Sequence, residues 1–296
     1  MNSYTIKLDK TIQEKLKNFF LEDGATISTQ QNAIWRAKSN NYVAIFYTTA
    51  KLLIQGSDVS EIATKVENFL NISSPKQNAL DILETSSDIP TCHIGVDESG
   101  KGDFFGPLVI AGVMVDEKSI EILNQAGVKD CKKVDDKNIN KLAAIIKNNC
   151  VFSIVTINPA KYNELYTKFS NLNKLLAWGH ARTIENILEK KNCDFAISDQ
   201  FGDEKLIKNA LMDKGKNIKL KQMHRAESDI AVAAASIIAR AQFLSGIADL
   251  SKKYQTELPK GASDKVIQIA KNIKEKYSKE ELKNIAKIHF KTYSQI

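Results

Sequence analysis

Cysteine is scarce in this chain. The four present in 296 residues, Cys92, Cys131, Cys150 and Cys193, form neither a C-x-x-C pair nor the dense spacing of small secreted folds. They read as reduced thiols, which excludes a disulfide framework. Histidine is equally sparse: His93, His180, His224 and His289 lie too far apart for a metal cluster recognisable in sequence. Long apolar runs are missing as well, none reaching the roughly 18 residues that a membrane span needs. The first twenty residues carry Lys7, Asp9, Lys10, Glu14, Lys15 and Lys17, leaving no apolar signal core. There is no internal repeat or low-complexity tract. What these absences leave is an intracellular chain, expected in the cytoplasm and away from membranes, long enough for roughly two domains.

Its charge is unevenly placed. Residues 1–90 hold 9 basic and 10 acidic side chains, against 33 and 25 in 91–296, so the nets are −1 and +8. Residues 252–296 alone hold 11 lysines and 5 acids. A phosphate backbone is the natural partner of such a surface, although lysine-rich helix faces such as 271–291 are often only solvated.

The basic part also carries the motifs. Residues 94–108 read Ile-Gly-Val-Asp-Glu-Ser-Gly-Lys-Gly-Asp-Phe-Phe-Gly-Pro-Leu: an apolar strand start, two adjacent carboxylates, then a glycine-lysine-glycine turn. A strand ending in Asp97 and Glu98 puts two acids at one sheet edge, and Gly100 and Gly102 allow backbone to approach a bulky ligand. Hard divalent cations take carboxylate oxygens and share their coordination with substrate phosphates. The run from Gly95 to Lys101 also imitates a nucleotide-phosphate cradle, but Gly102 stands where that loop needs Ser or Thr. Asp97 and Glu98 would moreover repel the phosphates it should embrace, so that reading is rejected. A solvated turn between strands remains the plain alternative for this stretch alone.

Further acids join it. Residues 194–199, Asp-Phe-Ala-Ile-Ser-Asp, form a second short apolar run ending in an acid, Asp199. In His224-Arg-Ala-Glu-Ser-Asp229, Glu227 and Asp229 precede an almost uncharged helix. Acids at such a position also cap free N–H groups whatever the protein does.

These blocks, with Gly127-Val-Lys-Asp-Cys-Lys-Lys133, Ala233-Ala-Ala-Ser-Ile-Ile-Ala-Arg240, Leu258-Pro-Lys-Gly-Ala262 and Lys287-Ile-His-Phe290, resemble the type 2 ribonuclease H family over residues 94–290. The Phe-Phe-Gly-Pro, Pro-Lys-Gly-Ala and Lys-x-His-Phe forms resemble ribonuclease HIII rather than its sister ribonuclease HII. The resemblance implies an α/β fold with a ribonuclease H-like mixed sheet and flanking helices. It also implies hydrolysis of the RNA strand of RNA/DNA hybrids, leaving 5′-phosphate and 3′-hydroxyl ends. Two Mg2+ or Mn2+ ions would be held by Asp97, Glu98, Asp199 and Glu227. Asp229 is a substitute for Glu227, since the 227–236 segment is about one residue shorter than the family pattern. Gly100, Lys101 and Gly102 match the family's glycine-basic-glycine loop, whose backbone reads RNA 2′-hydroxyls. Asp130-Cys131-Lys132 matches an Asp-Ser-Lys block with Cys in place of Ser; Lys132 and Lys133 can still bind phosphate. Asn171 reads as an ordinary helix cap and His289 as a docking residue near the C-terminus.

Residues 1–90 pattern differently. Strands are predicted at 3–8, 33–37, 42–47 and 51–55, with helices at 10–21 and 59–70, a β-α-β-β-β-α order. By resemblance this is a small α+β domain similar to half of the TATA-box-binding-protein fold, which holds the hybrid. Tyr42 and Phe46 share one strand face, Val43 and Ile45 the other. If the second face packs on the helices, Tyr42, Phe46 and Trp35 are left for substrate; if the first does, they are core. The expected division is a substrate-binding domain at 1–72, a linker at 73–90 and a catalytic domain at 91–296. The expected protein is a monomeric endonuclease. Alternatives are HII-like incision at single ribonucleotides in DNA, for which no junction tyrosine is found by motif, and a non-catalytic hybrid- or RNA-binding protein. The last has no need of acids at strand tips, which weaken phosphate affinity unless metals neutralise them.

Overall fold

The computed structural model describes residues 2–56, 59–70, 89–129, 134–223 and 226–296. The chain divides into two compact units, 1–86 and 87–296.

In the first unit, β1 (Asn2–Lys7) leads through a 3-10 turn capped by Asp9 into α1 (Gln13–Glu22). β2 (Thr26–Ser28), β3 (Ala33–Lys38), β4 (Tyr42–Tyr47), β5 (Lys51–Gly56) and α2 (Val59–Phe69) follow. The strands form an antiparallel sheet in the order β1-β5-β4-β3-β2. β2 is an addition to the β-α-β-β-β-α pattern: three residues at a sheet edge show no usable alternation. Strand alternation decides which face is dry. Trp35, Tyr42, Ala44, Phe46 and Ile54 pack with Leu16 and Phe20 in one core, the Trp35 indole N–H donates to the Gln13 carbonyl at 3.0 Å, and the Tyr42 hydroxyl donates to Asp23 at 2.7 Å. Tyr42, Phe46 and Trp35 are therefore core residues, not stacking platforms. On the opposite face Arg36, Lys38, Val43 and Gln55 surround a shallow depression of about 650 Å³.

The second unit is built on a mixed sheet of β6 (His93–Ser99), β7 (Leu108–Val115), β8 (Val151–Ile157), β9 (Phe195–Asp199) and β10 (Lys219–Met223). Its order is β10-β9-β6-β7-β8. β6, β7 and β8 form an antiparallel meander, whereas β6, β9 and β10 run parallel. β7 is buried along its whole length, as a central strand covered on both faces must be. Helices α3 (Glu117–Gln125), α4 (Asp136–Asn149), α5 (Pro159–Phe169), α6 (Leu172–Leu188) and α7 (Glu204–Ala210) join the strands. α8 (Ile230–Lys253), α9 (Asp264–Lys276) and the short α10 (Lys291–Ser294) close the chain. α8 packs with α3 and α4 on one face, and α5 and α6 cover the other. Asn171 does cap α6, accepting from the Asn173 and Lys174 amides.

By length and composition α8 would pass as a membrane span, yet 67% of its most apolar window is buried. It is the central core helix. Its approach to the sheet depends on Gly95: a Cβ there would lie 2.2 Å from the Ala231 carbonyl carbon and the Val232 nitrogen. Only a glycine in β6, facing the alanines of α8, permits that closeness.

Candidate active site at the carboxyl edge of the sheet

Three parallel strands put their carboxyl ends at one edge, where open α/β sheets present their ligands. β6 ends there in Asp97 and Glu98, and β9 in Asp199. Val96 pairs with Ser198, so Asp97 and Asp199 hold the next register position on neighbouring strands. Alternation assigns them a common face. Gly95 and Ile197 meet α8, and the residues two further on, Asp97 and Asp199, lie on that same side. Glu227 sits in the 3-10 turn Ala226–Ser228, just before α8. The preceding amide, Ala226 N–H, donates to Asp199 Oδ1 at 3.4 Å, linking that turn to the tip of β9.

Glu98 points the other way, towards α6. Its Oε2 accepts from His180 Nε2 at 3.1 Å and its Oε1 from the Lys101 ammonium at 3.2 Å. His180 is fully buried, and its Nδ1 lies 3.0 Å from the Ser198 hydroxyl. Burial alone would make the Glu98 carboxylate harder to ionise; the His180 and Lys101 interactions outweigh it and hold the pKa well below the usual carboxylate range. Glu98 is thus fixed in direction and charge by Lys101, three residues on, and by His180 on a distant helix. Nothing in the sequence marks His180: a single histidine on an apolar helix reads as core, and its partner Glu98 is 82 residues away.

Asp229 has a different occupation. Its Oδ1 accepts from the Ala231 and Val232 amides, capping α8, and its Oδ2 meets His93 Nε2 at 2.9 Å. His93 Nδ1 lies 2.7 Å from the Pro90 carbonyl. Burial disfavours the charged imidazole, but Asp229 together with the main-chain contacts at Pro90 and Thr91 outweighs it and raises the His93 pKa. Asp229 thus serves as the helix cap and as the partner of His93.

The turn after Glu98 contains two unlike glycines. Gly100 has φ +88°, and a Cβ there would strike the Pro107 carbonyl at 2.2 Å, so the fold itself requires glycine. At Gly102 a Cβ would meet nothing within 4 Å. Between them Lys101 is half-exposed, its ammonium 5.8 Å from the Phe201 ring. Lys132 and Lys133 lie outside the described residues. His289 stacks on Tyr166 at 4.1 Å and so docks the C-terminal segment on α5. Among the described residues no three His, Cys, Asp or Glu side chains form a ready metal cluster; the four acids line an edge and do not close a cage.

Fold and acid edge together define a hydrolase of the ribonuclease H-like class. A family model described as Ribonuclease HII matches residues 94–293, and one described as Domain of unknown function (DUF3378) matches 3–79. The Ribonuclease HIII of Protochlamydia amoebophila (strain UWE25) is 43% identical over 293 residues, spanning 99% of this chain and 96% of that protein. The Ribonuclease HIII of Chlamydia pneumoniae is 41% identical over 302 residues, spanning 99% and 97%. Among solved structures, Bst-RNase HIII in complex with Mn2+ is similar over 99% of this chain and 97% of that one, with 28% identity and a TM-score of 0.67. The chain belongs to the ribonuclease HIII family and is a ribonuclease H endonuclease.

Proposed function

We propose that this enzyme hydrolyses the RNA strand of RNA/DNA hybrids at the edge formed by Asp97, Glu98, Asp199 and Glu227, leaving 5′-phosphate and 3′-hydroxyl ends. The observation that carries this reading is the shared placement of Asp97 and Asp199 beside the mouth of α8, with Glu98 held ionised behind them. Four carboxylates and no soft donor suit Mg2+ or Mn2+, which take a few carboxylates and complete their shell with water and substrate phosphate. The solved relative bound to Mn2+ is in line with that choice of metal. When bound, two such ions supply the chemistry of activating water and stabilising the leaving 3′ oxygen.

The chain's own residues do the rest. Asp97 and Asp199 present oxygens from rigid strand ends; Glu98 is kept as an acceptor by His180, so a cation meets a carboxylate and not a carboxylic acid. Glu227 is the acid at the α8 mouth left over once Asp229 has capped the helix, which supports Glu227 as the fourth ligand. Lys101 offers a positive charge to a phosphate, and the open space at Gly102 suits close passage of an RNA strand past the main chain. The face of the first unit with Arg36 and Lys38 is a surface for the hybrid backbone.

The test is magnesium-dependent cleavage of a labelled RNA/DNA hybrid, beside a DNA duplex containing one ribonucleotide, by wild type and Asp97→Asn. Cleavage of the hybrid alone, lost in the variant, is expected. Efficient incision at the single ribonucleotide would move the assignment to HII-type activity, and binding without cleavage would leave a binding protein.

A further inference from the structure

Two C-terminal motifs, Leu258-Pro-Lys-Gly-Ala262 and Lys287-Ile-His-Phe290, have no part in the reading above, yet both converge on the loop between β6 and β7. Phe105 pairs with Ala286 in an isolated antiparallel bridge. On either side of it, the Lys287 amide donates to the Phe104 carbonyl at 2.8 Å and the Gly106 amide to the Ile285 carbonyl at 2.9 Å. From the Leu258–Ala262 motif, the Gly261 amide donates to Asp103 Oδ1 at 2.7 Å, and its carbonyl accepts from the Phe104 amide at 2.9 Å.

The Lys287 side chain completes this arrangement. It is 0% exposed, and its ammonium donates to the carbonyls of Gly106 at 2.7 Å, Asp103 at 2.8 Å and Phe105 at 3.4 Å. Three donors meet three main-chain acceptors that turn inward in an irregular loop whose ends, Gly100 and Gly106, both have positive φ. A buried ammonium is costly in any protein, and burial does draw this one down to about 7. An apolar side chain would fill the same space at less expense but would orphan the three carbonyls. What the lysine adds is therefore a fixed loop shape. The lysine is itself anchored: Asn163 on α5 donates to the Lys283 and Ala286 carbonyls and accepts from the Ile288 amide.

We propose that Lys287 is a positioning residue for substrate, setting the 100–106 loop from beneath so that Lys101 and the main chain at Gly102 stand ready beside the catalytic edge. The proposal rests on the ribonuclease reading for what the loop binds, and on the hydrogen bonds alone for what holds the loop. Lys287 touches neither substrate nor the four acids; it acts through Lys101.

The experiment compares wild type, Lys287→Met, Lys101→Ala and the double variant for KM and kcat on an RNA/DNA hybrid, together with amide hydrogen exchange at Phe104 and Gly106. Lys287→Met is expected to raise KM about tenfold with kcat within about twofold, Lys101→Ala to raise KM at least as much, and the double variant to be no worse than Lys101→Ala alone, because Lys287 acts on substrate only through the loop that carries Lys101. A double variant about tenfold worse than Lys101→Ala, the product of independent effects, would overturn the proposal, as would unchanged exchange at Phe104 and Gly106 in Lys287→Met. Should Lys287→Met fail to fold, Asp103→Ala carries the test: it cuts the Gly261 strut at the half-exposed rim of the loop. It is expected to raise KM and speed exchange at Phe104, and no change in either would refute the clamp. A wild type that does not cleave hybrids would refute the ribonuclease reading instead, and the exchange comparison would still decide whether Lys287 holds the loop.

Discussion

Gly95→Ala adds one methyl group, and the structure says where it goes. The new Cβ would sit 2.2 Å from two main-chain atoms of α8 and 2.7 Å from the Ala231 Cβ, where ordinary contact begins at 3.4 Å. The shortfall of 1.2 Å cannot be absorbed by a side-chain rotation, because the atoms struck are backbone on both sides. Either β6 or the first turn of α8 must retreat by about 1 Å, and overpacking of this kind costs about 1–3 kcal/mol. For a catalytic unit of this size that corresponds to a fall in Tm of about 2–12 °C. Activity should suffer more than stability. The strand that bends carries Asp97 two residues on, and the helix that retreats begins three residues after Glu227, so the acids on the α8 side are pulled apart. A misplacement of about 1 Å at reacting groups can cost about a hundredfold in rate. Melting and single-turnover cleavage of a hybrid, measured on the same preparation, separate the two effects. A variant that melts within about 1 °C of wild type and cleaves at its rate would refute the packing argument and, with it, the claim that Gly95 sets the distance between the acids.

Other expectations follow from single contacts. His180→Leu removes an interaction that keeps Glu98 ionised, so the acidic limb of the pH–rate profile should move to higher pH; an unmoved limb would show that His180 does not govern Glu98. Glu227→Gln should abolish turnover with little change in Tm, whereas Asp229→Asn should lower Tm by weakening the α8 cap and the His93 contact while keeping most activity; the reverse pattern would exchange their roles. The His93 pKa is raised in the folded state. Below its unfolded value of about 6.5 both states bind the proton and the stabilisation is fully present; it fades as pH climbs through the higher folded value. The Tm gap between wild type and His93→Leu should therefore be widest in mild acid and narrow towards pH 9, with about 1–3 kcal/mol at stake, and a gap independent of pH would show that the pair is not charge-linked.

How much of this was legible beforehand depended on how local each signal is. The tips of β6 and β9 could be read because an apolar strand followed by an acid is a pattern within one element, and the open alternation of β4 could be read but not oriented. Which of its faces is dry depends on where α1 lies, and that is decided by Leu16 and Phe20, over twenty residues away. The edge strand β2 is too short to show a period. No element was assigned by pattern to α3, α4 and α5, amphipathic helices whose apolar faces are defined by the sheet they cover.

The sharpest contrast lies at the mouth of α8, where Glu227 and Asp229 are chemically interchangeable on paper. Each is an acid before an apolar helix, and both functions, capping and metal binding, ask for a carboxylate. What separates them is the helix phase. Ile230 opens α8, which makes Asp229 the N-cap, with its oxygens turned back onto the Ala231 and Val232 amides and onto His93. Glu227, two residues earlier, is outside the helix and follows the amide that bonds Asp199. A shift of one residue in the start of α8 would exchange these environments, and no propensity fixes a helix start to one residue. Gly95 does so here, because the close approach it permits is made by Ala231 and Val232. Which of the two acids caps the helix thus goes with a missing side chain in a strand 132 residues before Glu227, and that is why the pair could be recognised in the sequence while their environments were told apart only in the fold.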